Sequence, residues 1–222
     1  MEVGEVLGWP FRDAKWFGRL LGMGAIWFLL TLTVVGAIPA AIALDGWMLR
    51  CLDNLRAGRQ ELASPGLPLR RGARLFLVQA VYLLAVLIVT GLLTFAGIQA
   101  SRAGGAAAIG GGLLVILGNA ISLLGSLALL VFLPQIVLQL ERRGLAGGFD
   151  VAGIVRLARS QGSAAVLAGL LTLLALDIIS PLGLLVCIAG TAATTPYAMA
   201  VLAAAIHSLE QTEGGSDVSA AG

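Results

Sequence analysis

The chain has 222 residues, 59% of them hydrophobic and 12% charged, with a mean hydropathy of +0.97 and a net charge of +2. A soluble domain carries about 25% charged residues, so this composition excludes a water-clothed globule and makes lipid the solvent for much of the chain. The small net charge argues against nucleic acid as a partner, and the length allows one compact membrane domain without a second soluble one.

Met1 to Gly8 is a short acidic-apolar lead, and Trp9 to Arg19 mixes aromatics with charge, which suits the headgroup level that Trp prefers. The uncharged run from Leu20 to Leu44 follows. At about 1.5 Å per residue it is long enough to cross a hydrocarbon core of about 30 Å. Gly36 and Pro39 interrupt it, and Asp45 and Arg50 follow soon after. Ala41-Ile42-Ala43 looks like a signal-peptide cleavage site, but the run exceeds the usual h-region of about 7–15 residues, so a retained membrane segment is expected.

Arg50 to Arg74 is basic and turn-rich, and the two prolines and glycine of Ala63-Ser64-Pro65-Gly66-Leu67-Pro68 exclude a helix there. Leu75 to Ser101 is a long uncharged run, read as a transmembrane helix closed by Arg102. Ala103 to Gly112 is glycine-rich. It lacks the Lys-Ser/Thr and the preceding strand of a phosphate-binding loop, and reads as a flexible turn. Leu113 to Leu140 is the next span, where Gly118, Ser122 and Ser126 form a small-residue stripe suited to seating a neighbouring helix.

Glu141 to Gly162 is polar again. Val151, Ile154, Val155 and Ala158 share one helical face while Arg156 and Arg159 point elsewhere, the pattern of an amphipathic interfacial helix. Ser180-Pro181 and Gly183 then divide a long apolar stretch into helices near Ser163–Ile179 and Leu184–His207. From Glu210 the sequence is acidic and Gly/Ser-rich, which predicts a disordered tail over 210–222 and a single polytopic membrane domain over 1–209.

All but one of the fourteen Lys/Arg residues fall in three clusters, Arg12 to Arg19, Arg50 to Arg74 and Arg142 to Arg159. Basic residues stay on the cytoplasmic side of a bilayer, so a single crossing by Leu20–Leu44 puts one cluster on the wrong side. A hairpin turning near Gly36–Pro39 resolves this, with Leu20–Val35 going out and Ala40–Leu55 returning. The fold expected is therefore all-α, a polytopic helical membrane protein with six helical segments as three hairpins. Five transmembrane helices, with the N-terminus outside, are the alternative. The hairpin reading places the protein in the cell membrane with both termini cytoplasmic.

Several stretches resemble a known family. Trp9-Pro10-Phe11-Arg12-Asp13-Ala14-Lys15-Trp16, Gly46-Trp47-Met48-Leu49-Arg50-Cys51-Leu52 with Arg56-Ala57-Gly58-Arg59, and Phe132-Leu133-Pro134 followed by Gly147-Gly148-Phe149-Asp150 and Arg156-Leu157 carry the likeness. Cys187-Ile188-Ala189-Gly190 and Thr195-Pro196-Tyr197-Ala198 extend it. Together they are similar to a prokaryotic membrane family known as domain of unknown function 4013. The resemblance implies an integral membrane protein and supplies no activity. The chain departs from the family pattern between Glu61 and Gly72, where that family carries a Pro-Trp-Asp-rich acidic stretch.

Chemistry is sparse. Cys51 and Cys187 are remote from each other, and His207 is the lone histidine, so no catalytic, cofactor-binding or metal-ligating set is read from the sequence. The intramembrane polar candidates are Asp45, Asp177 and Asn119, because a polar or ionisable group within an apolar run is a site hypothesis by default. The expected role is non-catalytic: a subunit, scaffold or envelope-associated factor. Its expected partners are membrane lipids and a membrane-protein partner or second copy. A small transporter or channel component is the alternative.

Overall fold

The computed structural model describes residues 2–33, 35–186 and 190–219, and among them every regular element is helical. The helices are α1 (Val3–Gly8), α2 (Trp16–Thr31), α3 (Ala37–Arg56), α4 (Leu69–Arg102), α5 (Gly105–Arg143), α6 (Leu145–Gly148), α7 (Val151–Gln161), α8 (Ser163–Leu173), α9 (Ser180–Val186) and α10 (Thr191–Ser219). A 3₁₀ turn, Trp9–Arg12, follows α1, and a π-helical stretch, Leu174–Ile179, joins α8 to α9. Four stretches are long and apolar enough to cross a membrane: Leu69–Arg102, Gly105–Arg143, Ser163–Gly183 and Thr191–Thr212. The helices group into two compact units, Met1–Phe76 with Val131–Gly222, and Leu77–Leu130.

In the first unit α2 and α3 pack against each other as a helical pair whose bend lies a few residues before Gly36–Pro39, and neither is among the four stretches long and apolar enough to cross a membrane. The Thr31 and Thr33 hydroxyls donate back to Phe28 O and Leu30 O at 2.8 and 3.0 Å, which closes α2. Gly36 allows the backbone to double back, since a Cβ there would lie 2.1 Å from Leu30 O. Pro39 is accommodated in the first turn of α3, where its missing N–H orphans no intrahelical bond. At 16 residues α2 is about 24 Å long, short of a full hydrocarbon core.

Helices α3 and α10 form the core of this unit. Trp47, Met48, Leu49 and Leu52 on α3 are fully buried, as are Val201, Ala203, Ala205 and Ile206 on α10. Close approach between helix backbones depends on glycine. A Cβ at Gly24 on α2 would lie 1.5 Å from Ala192 O, and one at Gly72 on α4 would lie 1.9 Å from Ile42 O.

The expected break at Pro181 does not occur. A proline ring clashes with the carbonyl four residues back and removes an α-helical hydrogen bond. Here the backbone widens to π geometry, with Ser180 N–H donating to Ala175 O five residues earlier, and the helix runs on to Val186. The expected residues Cys187, Ile188 and Ala189 lie outside the described residues. The partner helix starts at Thr191 and is tied on by Thr194 Oγ1 to Ser180 O (2.8 Å) and by the Ser180–Thr195 hydroxyl pair (3.0 Å). Helix α10 continues past Glu210 to Ser219, into the segment read as a disordered tail.

The second unit is the pair of α4 and α5 segments between Leu77 and Leu130. The glycine-rich stretch is not a loop. The turn is confined to Ala103–Gly104, and Gly110, Gly111 and Gly112 are helical. Their use is packing: Gly111 lies against Gly97 O and Ser101, Gly118 against Thr94 and Leu93, and Gly125 against Val86. Spacing by seven keeps Gly111, Gly118 and Gly125 on one stripe, so the backbones approach as small residues permit. Gly118 thus seats a helix as expected, while Ser122 and Ser126 remain half-buried beside the seam. Gly111→Val is expected to force the two helices apart, because even a Cβ would lie 2.4 Å from Gly97 O. Gly110→Val, which meets open space, is the control. Crosslinking between Cys substituted at Val86 and at Gly125 reads the separation, with yield falling in the first variant alone.

Candidate functional site: a pinned strap and an arginine-rich pole

The loop between α3 and α4 was expected to be polar and turn-rich. Its centre is instead a buried strap, with Leu62 and Ala63 only 1% and 4% exposed. A buried backbone needs partners for every polar group, and side chains supply them. Asn54 Nδ2 donates to Glu61 O (3.0 Å), Asp13 Oδ2 accepts from Leu62 N (3.1 Å), and Arg19 donates to Leu62 O. Cys51 Sγ accepts from Ala63 N (3.4 Å), and Trp47 Nε1 donates to Ala63 O (3.0 Å). These partners come from the lead before α2, from α2 itself and from α3. The strap therefore fixes the base of the first hairpin and brings the first two basic clusters to one end of the unit.

Beside the strap lies an open pocket of about 410 Å³, lined by Arg19, Arg50, Asp53, Asn54, Arg59, Glu61 and the strap. Its carboxylates are engaged. Glu61 pairs with Arg19 at 2.9 Å, and Asp53 is held by the fork of Arg71 and approached by Arg56. Arg19 is paired a second time, with the buried Asp13 at 3.0 Å. Arg59 meets only the neutral Asn54 Oδ1, at 2.7 Å, and Arg50 faces no carboxylate among the described residues.

Next to the pocket, Arg71 and Arg56 form a second charged set. Arg71 forks onto Asp53 on one side and Glu141 on the other, with Nη2 to Asp53 Oδ1 at 3.1 Å and Nε to Glu141 Oε1 at 3.3 Å. Arg56 forks onto Glu210 at 3.0 and 2.6 Å and reaches Glu141 at 3.4 Å. The set ties the last turn of α3, the first turn of α4, the end of α5 and α10 together. Bidentate guanidinium–carboxylate geometry gives such ties direction as well as strength.

The sequence-predicted polar candidates do not assemble into a site. Asp45 is buried on α3, 3% exposed, beside the Gly46–Pro68 contact, whereas Asp177 is exposed on the π stretch. In the second unit Asn119 is exposed on α5, and its side chain makes no hydrogen bond among the described residues. His207 is half-buried and sits 3.9 Å from Glu210.

Sequence reasoning missed the residues that do cluster: Asp53, Arg56, Arg71, Glu141 and Glu210 on one side, Asp13, Arg19 and Glu61 on the other. One signal was available, since Asp53, Glu61 and Glu141 each stand within or beside a basic cluster. The glutamines Gln135, Gln139 and Gln161 were also missed. They are buried where α5 meets α7, with Gln139 donating to Gly153 O at 3.4 Å. The amphipathic face of α7 is rotated from the expected one, burying Gly153, Ile154, Leu157 and Gln161 while Val151 is exposed.

Among known proteins, the family described as "Protein of unknown function (DUF4013)" matches residues 28–192. The match includes the Gly46–Leu52 and Phe132–Leu157 stretches and leaves Trp9–Trp16 and Thr195–Ala198 outside it. No curated protein and no solved structure matches the chain.

Proposed function

The chain belongs to DUF4013, a family of unknown function, and from its apolar helices and its arginine-rich pole we propose a multi-pass protein of the cell membrane that acts without catalysis, as a subunit, scaffold or envelope-associated factor working through lipid or protein partners. The observation carrying this reading is the use to which the charges are put. Asp13, Asp53, Glu61, Glu141 and Glu210 all pair with arginine and hold helix ends together, so they support architecture rather than proton transfer. The basic segments brought together at one pole support a cytoplasmic position for that pole. They favour three hairpins over a single first crossing.

The test is crosslinking in native membranes followed by purification in mild detergent. A reproducible stoichiometric complex, with another membrane protein or a second copy, is the expected result. A lone chain under every crosslinking and detergent condition contradicts it.

One observation favours the transport reading: the π stretch places exposed Asp177 in an apolar helix, and π turns recur at functional sites. Solute flux in reconstituted vesicles decides it. Flux present in wild type and lost in Asp177→Asn supports transport, and equal flux in both removes Asp177 from any pathway.

A further inference from the structure

We propose that the pocket formed by Arg19, Arg50, Arg59 and the Glu61–Ser64 strap binds the phosphate of an anionic phospholipid headgroup. The inference names a lipid class for the membrane protein proposed above and rests on that reading.

Charge balance inside the pocket leaves arginines over. Both of its carboxylates are occupied, Glu61 by Arg19 and Asp53 by Arg71 and Arg56. Two guanidinium groups are left without an anion: Arg50 has no carboxylate partner among the described residues, and Arg59 is oriented only by the neutral Asn54. Arg50 lines the pocket and reaches the loop just past the strap, its Nη1 3.5 Å from where a Cβ on Gly66 would sit. Guanidinium forks match phosphate oxygens bidentately and are more weakly hydrated than ammonium, so a phosphate is the anion this arrangement suits. The exposed Ser64 adds a hydroxyl donor at the rim. A volume of about 410 Å³ admits a headgroup, and the pocket is open enough to leave acyl chains outside.

Depth separates a lipid from a free anion. Arg19 lies about one helical turn after Trp16 at the start of α2, where the neighbouring Phe17 is 61% exposed and Trp16 stacks edge-on with both Phe17 and Phe11. Exposed aromatics at a helix end mark the headgroup level, so the pocket opens where lipid phosphates are concentrated. A cytoplasmic leaflet rich in anionic lipid attracts every exposed arginine alike. The pocket makes the sharper claim that one lipid is retained.

The protein is reconstituted in phosphatidylcholine nanodiscs doped with phosphatidylglycerol, gently delipidated, and its retained lipids counted by native mass spectrometry. Wild type is expected to keep one phosphatidylglycerol per chain with at least tenfold preference over phosphatidylcholine. Arg50→Ala/Arg59→Ala loses that preference about tenfold, Arg50→Lys/Arg59→Lys keeps only part of it, and Arg156→Ala, an exposed arginine outside the pocket, keeps all of it. If the alanine pair fails to fold, Arg50→Gln/Arg59→Gln carries the same expectation. Undiminished preference in the paired variants, or an equal loss in Arg156→Ala, overturns the proposal. So does full displacement of the lipid by glycerol phosphate or inorganic phosphate at equal concentration, which assigns the pocket to a soluble anion. Alkaline-carbonate extraction is run alongside. Wild type found in the soluble fraction fails the membrane reading itself, whereas retention without lipid preference fails only the pocket.

Discussion

Replacing Arg71 by alanine is expected to lower stability by about 2 kcal/mol, between the 0–1 of an exposed ion pair and the 3–5 of a broken buried one. Arg71 is about one-third exposed and forks onto both Asp53 and Glu141, joining α3, α4 and α5 at one point. Its removal leaves two carboxylates sharing Arg56, which is already committed to Glu210. Arg71→Lys is expected to recover less than half of the loss, since an ammonium cannot grip two carboxylates with parallel bonds. Thermal unfolding in detergent measures this. A double-mutant cycle with Glu141→Ala should show coupling of about 1 kcal/mol that shrinks as salt is raised. Additive losses with no salt dependence would show that the geometry carries no energy.

Gly72→Ala is expected to have the larger effect, about 3 kcal/mol or more, the upper end of overpacking costs. The single added methyl would lie 1.9 Å from Ile42 O and 2.7 Å from Gly46 N, and both are backbone atoms of α3. No rotamer change relieves such a contact, so α3 and α4 must separate and the ion pairs at their junction must lengthen. Gly91→Ala on the same helix is the control. It meets nothing within 4 Å, and exchanging glycine for alanine in an open helical position stabilises by about 0.5–1 kcal/mol. Opposite shifts in melting temperature are therefore expected from the same chemical change on one helix. Equal shifts would contradict the close α3–α4 approach.

What was readable in the sequence follows the range of the interaction responsible. Apolar run length is local, and the span read as Leu75–Ser101 lies inside α4. The basic clusters constrain topology through counting alone, and the bend between α2 and α3 falls within a few residues of the place that counting requires. Local rules failed where a partner decided the outcome. Glycines 110 to 112 look like a turn because glycine weakens a helix, yet Gly111 sits against Gly97, fourteen positions away in sequence, and that approach needs the missing side chain. Pro181 looks like a break because a proline ring clashes in α geometry, and the π stretch removes the clash. The strap looked solvated because Pro, Gly and Ser surround it, but its polar backbone is satisfied by Asp13, Arg19, Cys51, Trp47 and Asn54. The charged set was least legible of all. Arg56 and Glu210 are 154 residues apart, and only the fold brings them together.

The central claim is that the three basic segments share one side of the membrane, with the α4–α5 turn on the other. Single cysteines in a cysteine-free background, at exposed Lys15, Arg59, Arg156 and Ala103, are labelled with a membrane-impermeant maleimide in sealed vesicles of known orientation. The account predicts that Lys15, Arg59 and Arg156 positions label from the cytoplasmic face and Ala103 from the opposite one. Labelling at Lys15 from the face opposite to Arg59 would contradict it, restoring a single first crossing and breaking the hairpin on which the pole depends.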